Sequence, residues 1–136
     1  MEIDSSQEAS LSVASEIAPA PAAANDARAL ARSLAERLER RVQIKLPAIV
    51  SEVVDTAVRN GQSTPIRVEL KVEGDRVVGH VDADLSCWAK EPLGARDLLS
   101  KRVVDLLTEE CRVQGSGGHT TFWFWVSERA PGLGPA

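Results

Sequence analysis

The stretch Leu46–Gly61, LPAIVSEVVDTAVRNG, decides how the rest of the chain is read. Ile49, Val50, Val53, Val54, Ala57 and Val58 recur at helical spacing, so the stretch predicts one amphipathic helix. Gly61 stands where a C′ glycine ends a helix. Glu52, Thr56 and Asn60 are four apart and form a polar line beside the apolar face. Asp55 and Arg59 share that spacing and make a surface pair. On these residues alone the segment is a core helix with a solvated shoulder.

Working outward, Pro65 opens a strand in which Ile66, Val68, Leu70 and Val72 alternate with Arg67, Glu69 and Lys71. Glu73-Gly74-Asp75 is a tight turn, and Val77, Gly79, Val81 and Ala83 continue the alternation on a returning strand. Asp84 to Leu93 is aperiodic, the kind of segment that carries a site or a lid. From Ala95 to Glu109 the helical period returns, with Leu98, Leu99, Val103, Leu106 and Leu107 as its stripe. Cys111–Gln114 is a short strand, Ser116-Gly117-Gly118 a turn, and His119–Ser127 a last strand rich in β-formers. Upstream, Asn25 or Asp26 caps a helix whose stripe is Ala27, Leu30, Ala31, Leu34 and Leu38, running to Arg41. Val42–Lys45 is a connector to the central helix.

This order predicts an α+β, two-layer sandwich with helices on one face of a mixed, mostly antiparallel sheet. Residues 1–21 are expected to be a flexible tail, 22–128 a single domain and 129–136 a second tail. Leu34, Val53, Leu70, Leu99 and Phe124, one from each apolar stripe, are expected to be buried together.

Composition narrows the function. The net charge is -4 with a pI near 5.2, and no basic patch suggests nucleic acid. No apolar run has the length of a membrane span, and the acidic opening MEIDSSQEAS does not read as a secretory signal. Cys87 and Cys111 lie in no ligand pattern and read as reduced thiols of a cytoplasmic protein. His80 and His119 have no partners at metal-binding spacing, so no metal site is expected, and no GxSxG elbow supports a hydrolase.

Three segments together carry a resemblance: SEVVDTAVRNG, IRVELKVEGDRVVGHVDAD and GSGGHTTFWFWV. They are similar to the first box, the hairpin before the second box, and the closing turn and strand of the small anti-sigma-factor serine kinases. Those kinases are stand-alone domains of the GHKL (histidine-kinase-like ATPase) superfamily. The resemblance covers roughly residues 25–127 and implies that fold. It puts Glu52 on the family's first-box glutamate, which orients a water or hydroxyl. It puts Thr56 where an asparagine holds magnesium, and Ala83 where an aspartate takes the adenine amino group. Asp82 and Asp84 only flank that position. The phosphate-cradling glycines of the third box reduce to Gly94, and Thr120 or Thr121 remains as an adenine-side hydroxyl.

With the metal ligand, base-recognition acid and phosphate cradle all changed, the resemblance implies a degenerate member. Such a domain is a bacterial regulator acting by protein–protein binding, with ATP binding weak or lost and no cofactor. Its implied partners are a sigma factor, an antagonist or a related signalling protein, and it is often a homodimer. The alternative is an active ATP-dependent serine/threonine protein kinase using ATP and magnesium, with Glu52 in the catalytic role. Under it the nucleotide would be held by Glu52, Thr56, Asn60, Asp82, Asp84 and Thr121. A structural or scaffold protein with no switching role is a third reading.

The last strand adds a partner-binding candidate. Trp123 and Trp125 are two apart, so they share the face opposite Phe122 and Phe124. On a one-sided sheet that face is uncovered, and paired tryptophans there suggest a protein contact. The competing reading lays the tails, or long side chains such as Arg67 and Lys71, over the tryptophans.

Overall fold

The computed structural model describes residues 11–89, 92–116 and 119–128, the side chain of residue 116 excepted. In chain order the elements are β1 (Ser12–Ile17), α1 (Ala23–Ala35), α2 (Arg40–Arg59), β2 (Ile66–Glu73), β3 (Arg76–Ala83), a 3-10 turn (Ser86–Ala89), α3 (Ala95–Leu107), β4 (Glu110–Ser116) and β5 (His119–Ser127). The strands form one sheet in the order β1-β2-β3-β5-β4, and every pairing among the described residues is antiparallel. The sheet is thus mostly antiparallel as expected, without the parallel pair that a mixed sheet would contain.

Alternation fixes which face of the sheet meets the helices. Ile66, Val68 and Leu70 of β2, Val77, Val81 and Ala83 of β3, and Phe122, Phe124 and Val126 of β5 are buried under the helical layer. From α2, Leu46, Ile49, Val50, Val53, Val54 and Ala57 complete the core. Phe124 lies over Gly79, its cross-strand partner, and a Cβ on Gly79 would run into that ring. The central helix ends as its sequence implies. Gly61 takes φ +95°, and the Gln62 N–H donates to the Ala57 carbonyl, five residues back.

Several boundaries differ from the sequence reading. Residues 12–17 are not tail but an edge strand, paired from Ser12↔Lys71 to Ile17↔Ile66. Residues 1–10 and 129–136 lie outside the described set. The first helix stops at Ala35, and Val42–Lys45 belongs to α2, which begins at Arg40. Neither Asn25 nor Asp26 caps α1; Ala22 is its N-cap position, without a side-chain bond. Pro47 is accommodated inside α2, where it drops the backbone bond to Gln43. The aperiodic stretch contains the 3-10 turn, which buries Cys87 and Trp88; Trp88 packs edge-on against Phe122. The turn glycines at 117 and 118 fall outside the described residues.

The largest difference is in α3. Its buried residues are Ser100 and Val104, while Leu98, Leu99 and Leu106 face solvent, Leu106 at 82% exposure. Of the five residues expected in one core, Leu34, Val53, Leu70 and Phe124 are buried and Leu99 is 60% exposed.

Candidate functional site

The polar line of α2 is the surface on which α3 sits, with Glu52 half-buried and Asn60 at its end still exposed. Ser100 Oγ, buried, donates to Glu52 Oε2 at 2.6 Å and accepts from Arg59 Nη2 at 3.2 Å. Asn60 Nδ2 donates to Asp97 Oδ1 at 3.2 Å and to the Thr56 carbonyl at 2.8 Å. Arg59 joins Asp97 to Asp55, so one guanidinium ties both helices together. Asp97, Ser100 and Val104 are three and four apart, so a single face of α3 supplies these contacts. Sequence reasoning missed Asp97 and Ser100, because it followed the heavier leucine stripe to the opposite face.

Thr56 is wholly buried, and its hydroxyl donates to the Glu52 carbonyl at 2.8 Å. A magnesium ion needs oxygen donors that can turn toward it. The one hydroxyl at that position is spent on the helix backbone. No group of three metal-ligating side chains occurs among the described residues. Thr56 therefore offers no freely turning oxygen donor on α2.

The remaining candidates lie elsewhere. Ala83 continues the buried parity of β3, so Asp82 points to the uncovered face of the sheet. There Thr121 Oγ1 donates to Asp82 Oδ1 at 2.7 Å. Asp84 turns back on the chain, accepting from the Ser86 N–H and hydroxyl at 3.1 and 2.7 Å, which fixes the 3-10 turn. The buried threonine is Thr120: its hydroxyl donates to the Ala83 carbonyl and accepts the Leu85 N–H. Of the expected nucleotide set, therefore, Glu52 and Asn60 face α3 and Thr56 bonds to its own helix, whereas Asp82 and Thr121 pair on the other side of the sheet. Asp82 and Thr121 line a cleft of about 310 Å³ at the strand ends, with Gln62, Thr64 and His119.

The uncovered face also holds Trp123 and Trp125, both half-buried. Arg112 lies over Trp123 at 4.6 Å, and Arg76 over Trp125 at 5.0 Å; these cations, not Arg67 and Lys71, cover them. Trp125 Nε1 donates to Glu110 at 3.3 Å. His80 is exposed on the same face, opposite Trp123. Burial pushes both thiols up, with Asp97 and Asp84 adding to the effect at Cys87, so both stay protonated near neutrality.

No protein-family model matches the chain, and no curated protein matches it. In fold it is similar to the crystal structure of the RsbU and RsbW domains of Rv1364c from Mycobacterium tuberculosis. The TM-score is 0.66 at 19% identity, over 86% of this chain and 32% of that one. Element order, the one-sided antiparallel sheet and this likeness give the chain the α+β fold of the GHKL, or histidine-kinase-like, ATPases. It spans about a third of that protein's length, and no helix among the described residues is long and apolar enough to cross a membrane.

Proposed function

We propose that this chain is a bacterial, cytoplasmic regulatory domain of the anti-sigma kind. It acts by binding a sigma factor, an antagonist or a related signalling protein, with ATP binding weak or lost. The observation that carries this reading is the occupation of α2's polar line by α3. Glu52 receives Ser100, Asn60 receives Asp97, and Thr56 is buried on its own backbone. Phosphoryl transfer rests on positioned metal and backbone donors, and here Glu52 and Asn60 are engaged in holding two helices together. The uncovered sheet face with Trp123 and Trp125 supports a role in contact, because half-exposed tryptophans are frequent anchors of interfaces.

Titration calorimetry with ATP, with and without magnesium, is the test. The expected result is no heat of binding at micromolar protein. Magnesium-dependent binding in the micromolar range would instead favour the ATP-dependent serine/threonine kinase and return Glu52 to a catalytic role.

A further inference from the structure

The two edges of the sheet are unlike. On β4, Glu110 and Arg112 place charges on the edge strand, and Gly115 takes φ +100° where a Cβ would run into the His119 carbonyl. Charges and an irregular backbone are the usual guards against strand addition. β1, SVASEI, carries one charge, Glu16, and no Lys, Arg, Pro or Gly, and each of its residues from Ser12 to Ile17 is in register with β2. Among the described residues nothing pairs with its outer side. Beside that edge runs a groove of about 450 Å³ between β1 and α1, floored by Ile17, Ala18, Ala29 and Leu30. Its two ionisable lining residues, Glu16 and Asp26, are both acids and both exposed.

We infer that β1 and the flank of α1 form a docking groove for an extended, basic segment of a partner protein, which adds to the sheet as a sixth strand. The free N–H and C=O groups of a strand edge are satisfied in ladder fashion only by another extended backbone, so the chemistry selects a strand. Alternate side chains of that strand point into the groove, where Ala18 and Ala29 leave room for medium apolar groups. Glu16, of opposite parity to the buried Ile17, lies beside the intervening side chains on the other face of the sheet and favours Lys or Arg there, while Asp26 on α1 adds negative charge on the groove side. A second copy of this chain would bring an equally acidic groove and, from β1, no Lys or Arg to meet it. The chain's own residues 1–10 carry Glu2, Asp4 and Glu8 and no Lys or Arg. Both are opposed by like charge. The inference is independent of nucleotide, since the groove shares no residue with the α2–α3 contact.

The test is fluorescence anisotropy of the full chain with a short labelled peptide alternating valine and lysine. Three controls accompany it: the same peptide N-methylated on the residues facing β1, a version with Glu for Lys, and an Ala29→Trp variant of the protein. Ala29 is exposed, so the indole fills the groove without entering the core. Saturable binding is expected, weakened about tenfold or more in each control. Methylation keeps the charge and removes the ladder donors, so equal binding of the methylated peptide would mean plain charge attraction and overturn strand addition. Equal binding of the Glu peptide would overturn the basic partner, and absence of binding would overturn the groove. Sedimentation showing a dimer that Ala29→Trp dissociates would assign the edge to a second copy and also refute the proposal.

Discussion

If Glu52 and Ser100 hold α3 on α2, cutting their bond has a calculable cost. Ser100→Ala removes a buried hydroxyl that donates to a carboxylate at 2.6 Å and accepts from Arg59 at 3.2 Å. Hydrogen bonds to charged groups contribute about 1.5–3 kcal/mol, and Glu52 would be left half-buried with its partner gone. A loss of about 2 kcal/mol is therefore expected. At about 3–6 °C per kcal/mol for a chain of this size, the melting temperature should fall by about 6–12 °C. Glu52→Gln keeps the shape and removes the charge, so it should cost about half as much. The two changes share one contact, so they should couple by about 1 kcal/mol or more in a double-mutant cycle. Urea unfolding of the four proteins, followed by circular dichroism, measures each term. Costs that simply add, or a Ser100→Ala protein within about 0.5 kcal/mol of the parent, would mean that α3 is held by something else. Glu52 would then be free for another role.

Three further outcomes follow from the packing. Leu106→Glu, at a position 82% exposed, should leave stability within about 0.5 kcal/mol on urea unfolding; a loss of several kcal/mol would place that face of α3 in a core. Gly79→Ala should destabilise the domain by about 1–3 kcal/mol on the same assay, because its methyl meets the buried Phe124 ring; a neutral result would mean the ring moves freely. Changing Trp123 and Trp125 together to Ser should cost only about 1–2 kcal/mol of stability by calorimetry, since both are half-exposed under Arg112 and Arg76, while abolishing any self-association seen by sedimentation; a collapse of the fold would make them core residues.

What could be read from the sequence depended on whether a residue's environment is local. The hairpin was legible because alternation over Ile66–Ala83 fixes both the pairing and the buried face. The same parity already carried the fate of Asp82. Val77, Gly79, Val81 and Ala83 form one set, so Asp82 had to face away from the helices. Its pairing with Thr121 follows from the equivalent parity of Phe122 and Phe124 on β5. β1 was missed because SVASEI carries little apolar weight and follows an acidic, serine-rich stretch; what stabilises it is the register with β2, which is not local.

The misreading of α3 has a different cause. Helical periodicity identifies a helix and sorts its residues onto faces, but it does not say which face meets a neighbour. Choosing the heavier leucine face assumes that α3 is held by apolar burial. Yet the surface offered by α2 at that point is Glu52, Asp55, Arg59 and Asn60, a line of charges and amides. A helix landing there must bring Asp97 and Ser100, since a leucine against Glu52 would strand a carboxylate without a partner. The leucines are then displaced outward by the polarity of their neighbour's shoulder. The feature that first marked α2 as a possible chemical site is thus the one that reverses α3 and leaves Leu98, Leu99 and Leu106 facing water.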